Sequence, residues 1–377
     1  TANGLERLGT AQPANNADVA KLFHGASLRR GWKPIMGESP GQRQTIIGYA
    51  HPMLNAHMLN SHMLNQELLD DWLPQLQQPA VRDLAWTLLA APLLTKAGAR
   101  QRHPLTASGW SQQPGLLADW LRQQEAHPAA LQDWLTGARS QRLGIHYERL
   151  WQFALQQAPG VQLIAANLPV RRSGQTLGEL DLLLRDADGD HHLELAIKLY
   201  LGPANGDGCL PLNWRGAGRA DNLQRKLQHL LHQQLPLSDK PVAQLLLAEH
   251  GLSQVQASLW LGGYLFYPWP NGCEAPTDCH PGHARGYWLQ QKDCPELFST
   301  TTAQHWQPVP RECRLAPIRF NSEKIWTVAQ LQNWLRALAP DAAPSLLVGF
   351  SQQADGNWRE SQRVMLLNDG WPDGQKH

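Results

Sequence analysis

Four charged residues, Glu179, Asp181, Glu194 and Lys198, fall within the short stretch Gly178 to Tyr200, GELDLLLRDADGDHHLELAIKLY. Most of their neighbours are Leu, Ile or Ala. Converging carboxylates suit a hard, oxygen-seeking cation such as Mg²⁺, which keeps several waters and takes only one or two carboxylates. Such a cation makes a bound water easier to deprotonate and screens the charge of a phosphodiester under attack. A lysine beside it can stabilise the developing charge or orient the water. These residue types in one place point to metal-assisted phosphodiester hydrolysis, with Asp181 and Glu194 as ligands and Glu179 or Glu148 as an outer or second one.

The grouping depends on a hairpin. Gly178–Arg185 and His192–Leu201 read as strands, and Asp-Gly between apolar runs is a strong turn signal. A two-residue Asp188-Gly189 loop pairs Asp181 with Ala196. Opposite residues share a face, as do residues two apart on one strand. That face holds Glu179, Asp181, Glu194, Ala196 and Lys198, with Asp181 and Glu194 as diagonal neighbours. A slip of one residue would separate the two sets. The bland alternative is a set of exposed charges in cross-strand pairs such as Glu179 with Lys198.

Other elements must position this hairpin. Gly144–Gln157 reads as a helix with Tyr147, Leu150, Trp151 and Leu155 on one side and Glu148 beside that stripe. Val161–Arg171 reads as a strand. A loop over residues 202–218 carries Trp214 and Arg215. Asp221 or Asn222 then caps a helix with Leu223, Leu227, Leu230 and Leu231 toward the core. Pro241–Leu247 and Ala257–Tyr267 read as further strands, and Cys273–Trp288 as loop. Trp326–Leu338 reads as a helix, Ser345–Phe350 and Arg363–Asn368 as strands. Upstream, Pro79–Leu94, Gly115–Leu121 and Pro128–Leu135 read as helical. The order of elements predicts an α/β core with a mixed sheet.

An Asp on one strand, an acid and a Lys on the next, and a preceding helix carrying Glu together resemble the PD-(D/E)xK nuclease superfamily. GELD at 178–181 is similar to a form common there. PAVRDLAW (79–86), HYERLWQFAL (146–155), GELDLLL (178–184), HLELAIKLYLGP (192–203), LQRKLQHLLHQQLPLS (223–238) and GYLFYP (263–268) resemble a bacterial family, domain of unknown function 1853, placed in that superfamily by its fold pattern. The resemblance spans roughly residues 75–370. It implies a restriction-endonuclease-like α/β core, a central mixed β-sheet flanked by helices, with an N-terminal helical region. It also implies an Mg²⁺- or Mn²⁺-dependent nuclease acting on DNA or RNA, with Asp181, Glu194, Lys198 and Glu148 as the catalytic set. The usual acid-x-Lys spacing would need an acid at Ala196; here the acid lies two residues earlier, and strand alternation keeps it on the same face. The competing expectation is a nuclease fold without catalysis that binds nucleic acid or protein.

The chain divides into a low-complexity leader (1–75), a helical region (76–143), the core (144–270) and a C-terminal extension (271–377). The leader contains a His-Met repeat, His51-Pro-Met-Leu-Asn55 and its two copies to Asn65. A low-complexity expansion explains it better than soft-metal binding. Arg215, Arg219, Gln224 and Lys226 form a candidate phosphate-contacting edge, with Trp214 available for stacking. Cys273, Cys279, His280 and His283 carry zinc-ligand chemistry at a spacing that matches no closed structural site. Net charge is +1, so any nucleic-acid surface must be local. Five cysteines argue against a disulfide framework. No apolar run is long enough to cross a bilayer, and the expectation is a cytoplasmic protein.

Overall fold

Residues 64–371, apart from 139, 141, 311 and 312, are described by a computed structural model. The His-Met repeat lies outside the described residues as far as Met63. The first helices follow from their caps and apolar spacing. α1 (Gln66–Trp72) starts where the Asn65 side chain accepts the Leu68 N–H. α2 (Pro79–Leu89) carries Pro in its first turn, where a missing N–H costs nothing. α3 (Pro114–Ala126), α4 (Ala129–Thr136) and α5 (Leu143–Leu155) complete the helical region. Leu69 of α1 and Leu73 just after it, within the segment read as leader, join the main core with Leu84, Leu88 and Trp151.

Ten strands form one mixed sheet among the described residues. They are β1 (Gln162–Arg172), β2 (Gln175–Asp186), β3 (Gly189–Leu201), β4 (Arg215–Gly216), β5 (Gln256–Pro268), β6 (Ala284–Gln290), β7 (His305–Pro308), β8 (Arg319–Phe320), β9 (Ser345–Gln352) and β10 (Trp358–Leu367). The order is β1-β2-β3-β5-β6-β10-β9-β7, with β4 on β3 and β8 on β10. β3, β5, β6 and β10 run parallel, and the outer strands on both sides are antiparallel. The expected mixed α/β sheet flanked by helices is therefore present. Strands read as a C-terminal extension continue the same sheet.

One face, through Leu182, Leu193, Leu195 and Ile197, packs on α2 and α5. The other face is covered by α6 (Leu223–His229), a π turn at Leu230–Gln234, a 3₁₀ segment at Leu235–Asp239 and α7 (Pro241–Glu249). α7 corrects the strand expected at Pro241–Leu247. Ala243 and Leu247, four apart, are buried, whereas Leu245 between them is 70% exposed. A strand would put all three on one face. α8 (Cys294–Thr300) and α9 (Val328–Ala337) flank the far end of the sheet.

The N-terminal helices are clipped to the C-terminal segment. Arg82 donates to Leu73 O (2.6 Å), Leu76 O (2.7 Å) and Pro317 O (2.6 Å). Asp83 accepts from the N–H groups of Leu315 (3.3 Å) and Ala316 (2.9 Å), and His146 Nε2 lies 3.0 Å from it. Among the described residues, no helix is long and apolar enough to cross a membrane.

Candidate active site

The hairpin pairs Leu182 with Leu193, Leu183 with His192, Arg185 with Asp190 and Asp186 with Gly189. The loop is thus Ala187-Asp188, and the register differs from the expected one by two residues. Asp186 fixes the turn: it accepts from Asp188 N (2.9 Å) and Arg102 Nη2 (2.7 Å), and His191 Nε2 lies 3.2 Å away. Gly189 leaves the loop at φ +119°, a conformation that favours glycine. An even shift preserves every residue's face, and continuing the register sets Asp181 opposite Glu194 instead of Ala196.

Ladder pairing between β2 and β3 ends at Leu182–Leu193. Beyond it, Asp181 Oδ2 accepts the Leu195 N–H at 2.9 Å, so a carboxylate takes the place of a strand carbonyl. The continued register sets the Asp181 and Glu194 side chains on one face of the hairpin, and the charge of Glu194 acts on Asp181. Burial, then the charge of Glu194, pushes Asp181 up to about 7. Burial likewise pushes Glu194 up to about 7.

Glu194 is fully buried. Its Oε1 lies 2.8 Å from His192 Nε2, and its Oε2 accepts from Gln234 Nε2 at 2.5 Å. His192 Nδ1 is 3.1 Å from Ser238 Oγ. Burial pushes this histidine down to about 4, so it is neutral near pH 7. Gln234 sits in the π turn, a distortion that recurs at functional sites. Its Oε1 accepts from Lys226 Nζ at 2.9 Å.

Helix α5 contributes Glu148. Its Oε2 accepts from Asn167 Nδ2 at 3.1 Å, while Asn167 Oδ1 accepts from Gln152 Nε2 at 2.7 Å. Asn167 lies between the β1–β2 pairs Ala166–Leu182 and Leu168–Leu180, opposite Asp181, at φ +51°. Burial, then the Asp181 charge, pushes Glu148 up to about 7. The fold thus gathers carboxylates from α5, β2 and β3 at the point where the hairpin opens.

The model of a domain of unknown function, DUF1853, matches residues 82–367. The chain belongs to this family. No curated protein and no solved structure matches it. The DUF1853 match runs from within α2 to the end of β10, so the carboxylates and both halves of the sheet lie in one family domain.

Within this DUF1853 chain, three sequence expectations are redrawn. Glu179 is exposed on the part of β2 that pairs with Pro169 of β1, and its charge is felt at Glu148. It makes no pair with Lys198, which binds Asp221 Oδ2 at 2.7 Å. Trp214 is fully buried with its Nε1 on Gly208 O (2.7 Å), so no base can stack on it. Cys279 Sγ lies 3.1 Å from His283 Nδ1, but Cys273 and His280 do not join them within ligand distance. Among the described residues, the single group of three or more such ligand atoms within 4.8 Å of one another is Asp207 and Cys209, from the loop after β3, with Glu274, from the loop after β5.

Arg215 lies on β4, beside the end of β3 that carries Lys198, and Arg219 follows in the next turn at φ +69°. Gln224 and Lys226 sit on α6, Gln224 exposed and Lys226 half-buried. The donor chemistry of Asp181 and Glu194 fits Mg²⁺ or Mn²⁺: hard carboxylate oxygens whose mutual repulsion a cation would offset, completed by water. Neither Glu179 nor Glu148 brings a third ligand atom within 4.8 Å of both. Sequence reasoning missed His192, Asn167, Gln234 and Ser238. His192 had a signal, two residues before Glu194 on the same face.

Proposed function

We propose that this DUF1853 chain is an Mg²⁺- or Mn²⁺-dependent nuclease of the PD-(D/E)xK type, with a restriction-endonuclease-like core, hydrolysing phosphodiester bonds of DNA or RNA. The observation that carries this reading is the placement of Asp181 across the hairpin from the buried Glu194, with Asp181 Oδ2 on the Leu195 N–H where β2 leaves β3 and Glu148 bonded to Asn167 opposite Asp181. Asp181 and Glu194 would hold the cation, and Glu148, through Asn167, would shape the water side of the site. The cation supplies screening of phosphate charge and a more acidic bound water. Arg215, Arg219 and Gln224 flank this end of the strands and would take the nucleic-acid backbone, giving salt-dependent binding.

A second reading, a nuclease fold that binds without cutting, rests on one feature. Both oxygens of Glu194 already have partners, and Ala196 stands at the usual ligand position.

The deciding experiment incubates the full chain with labelled single- and double-stranded DNA and RNA, with Mg²⁺, Mn²⁺ or EDTA. The nuclease reading expects cation-dependent cleavage that Asp181→Ala lowers by at least about 100-fold. Tight binding of nucleic acid, with no cleavage under any cation, would select the second reading.

A further inference from the structure

We infer that Lys226 on α6, and not Lys198 on β3, is the lysine that acts at the carboxylate centre, with Gln234 as its positioning residue. The inference rests on the nuclease reading above and redistributes its roles. Lys198 is on the expected face, but its ammonium is 2.7 Å from Asp221 Oδ2, in a pair about one-third exposed on each side. Tyr200 Oη reaches the same carboxylate at 3.4 Å. The positive charge of Lys198 is therefore spent on joining β3 to the start of α6.

Lys226 differs on each count. It forms no ion pair with any described residue. Its Nζ is held by Gln234 Oε1, and the other end of that amide is held by Glu194 Oε2. One side chain thus fixes the ammonium relative to the buried carboxylate. Lys226 and Gln234 are eight residues apart, about 12 Å along an ideal α-helix. The π turn and the long lysine stem close that gap, so the tether needs the helix distortion seen here. The positive charge of Lys226 also acts on Glu194, and on Asp181 and Glu148 as well.

The chemistry asked of Lys226 is modest. Hydrolysis consumes one water: its oxygen bonds to phosphorus, the bond to the leaving oxygen breaks with its electron pair, and that oxygen takes up a proton. Lys226 stays protonated throughout and donates a hydrogen bond to the attacking water or a phosphate oxygen as negative charge builds there.

Lys226→Met, Lys226→Arg, Lys198→Met and Asp181→Asn in the full chain test this, with folding checked by circular dichroism. Two readouts are needed: steady-state cleavage of a labelled oligonucleotide, and Mn²⁺ affinity by calorimetry without nucleic acid. Lys226→Met should lower kcat by about 100-fold or more while binding Mn²⁺ as tightly as wild type or tighter, because a repelling charge is gone. Lys226→Arg should recover part of the kcat. Lys198→Met should act mainly on KM. Loss of kcat in Lys198→Met with kcat retained in Lys226→Met overturns the inference and leaves the nuclease reading standing. So does weakened Mn²⁺ binding in both Lys226 variants, which would mark a structural lysine. A wild-type chain that neither binds Mn²⁺ nor cuts, while Asp181→Asn behaves identically, would sink both.

Discussion

At the scale of single residues, Asp181 serves two ends. It completes the strand ladder by accepting the Leu195 N–H, and, half-buried, it lies across the hairpin from the fully buried Glu194. Its folded-state pKa, about 7, lies above its unfolded value. Folding is therefore favoured while the group is protonated, and stability is lost as pH rises from about 4 toward 7. His192 and His103, both pushed down to about 4, act in the opposite sense over an overlapping range. Asp181→Asn isolates the carboxylate contribution. It should gain stability relative to wild type between pH 5 and pH 8, by on the order of 2 kcal/mol in urea unfolding without divalent ions. An equal difference at both pH values would contradict the raised pKa. Added Mn²⁺ should raise the melting temperature of wild type at pH 8 and leave Asp181→Asn nearly unmoved. The candidate acids on the hairpin were legible because side-chain alternation has period two: a register error of two residues left each of them on its face. The partners of Glu194 were less legible. Gln234 arrives from a helix whose position relative to β3 is set by a long loop, and no local spacing encodes that.

At the scale of elements, two irregularities position the carboxylates. Asn167 in β1 takes φ +51°, which Asn tolerates and β-branched residues do not. Asn167→Val should cost about 2 kcal/mol or more and free Glu148 from its hydrogen bond. Asn167→Gly should keep most of the stability yet lose the same hydrogen bond. Chemical denaturation of the two variants separates backbone strain from the side-chain role; equal losses would refute it. The π turn at Leu230–Gln234 is the second irregularity. Periodicity correctly marked a helix from Asn222, with Leu223 and Leu230 inward. It could not mark the widened turn, whose Gln234 bonds Glu194 of a strand 40 residues earlier. Pro241–Leu247 was misread for a related reason: a short apolar run is compatible with strand or helix, and only the solvent exposure of Leu245 discriminates.

At the scale of the whole molecule, the mixed sheet was legible from the order of elements, but its continuity was not. The order of elements reads as a core followed by an α/β extension, and β10 of that extension lies between β6 and β9 in one sheet. Pairing partners far apart in sequence leave no local trace. The Arg82–Asp83 clip is of the same kind, joining α2 to residues 315–317. Asp83→Ala removes acceptors from two buried N–H groups and should cost about 3 kcal/mol, seen as a lower urea midpoint across the whole transition. A separate early transition, with the rest unchanged, would mean that the helical region is an independent unit. The clip also sets a clock. Asp83 leaves the ribosome 233 residues before Ala316. At about 5–20 residues per second, its buried carboxylate waits roughly 10–50 s for its partners. During that interval α2, apolar over most of its surface, is without its C-terminal cover, and this is when the growing chain is most exposed to aggregation and to chaperones.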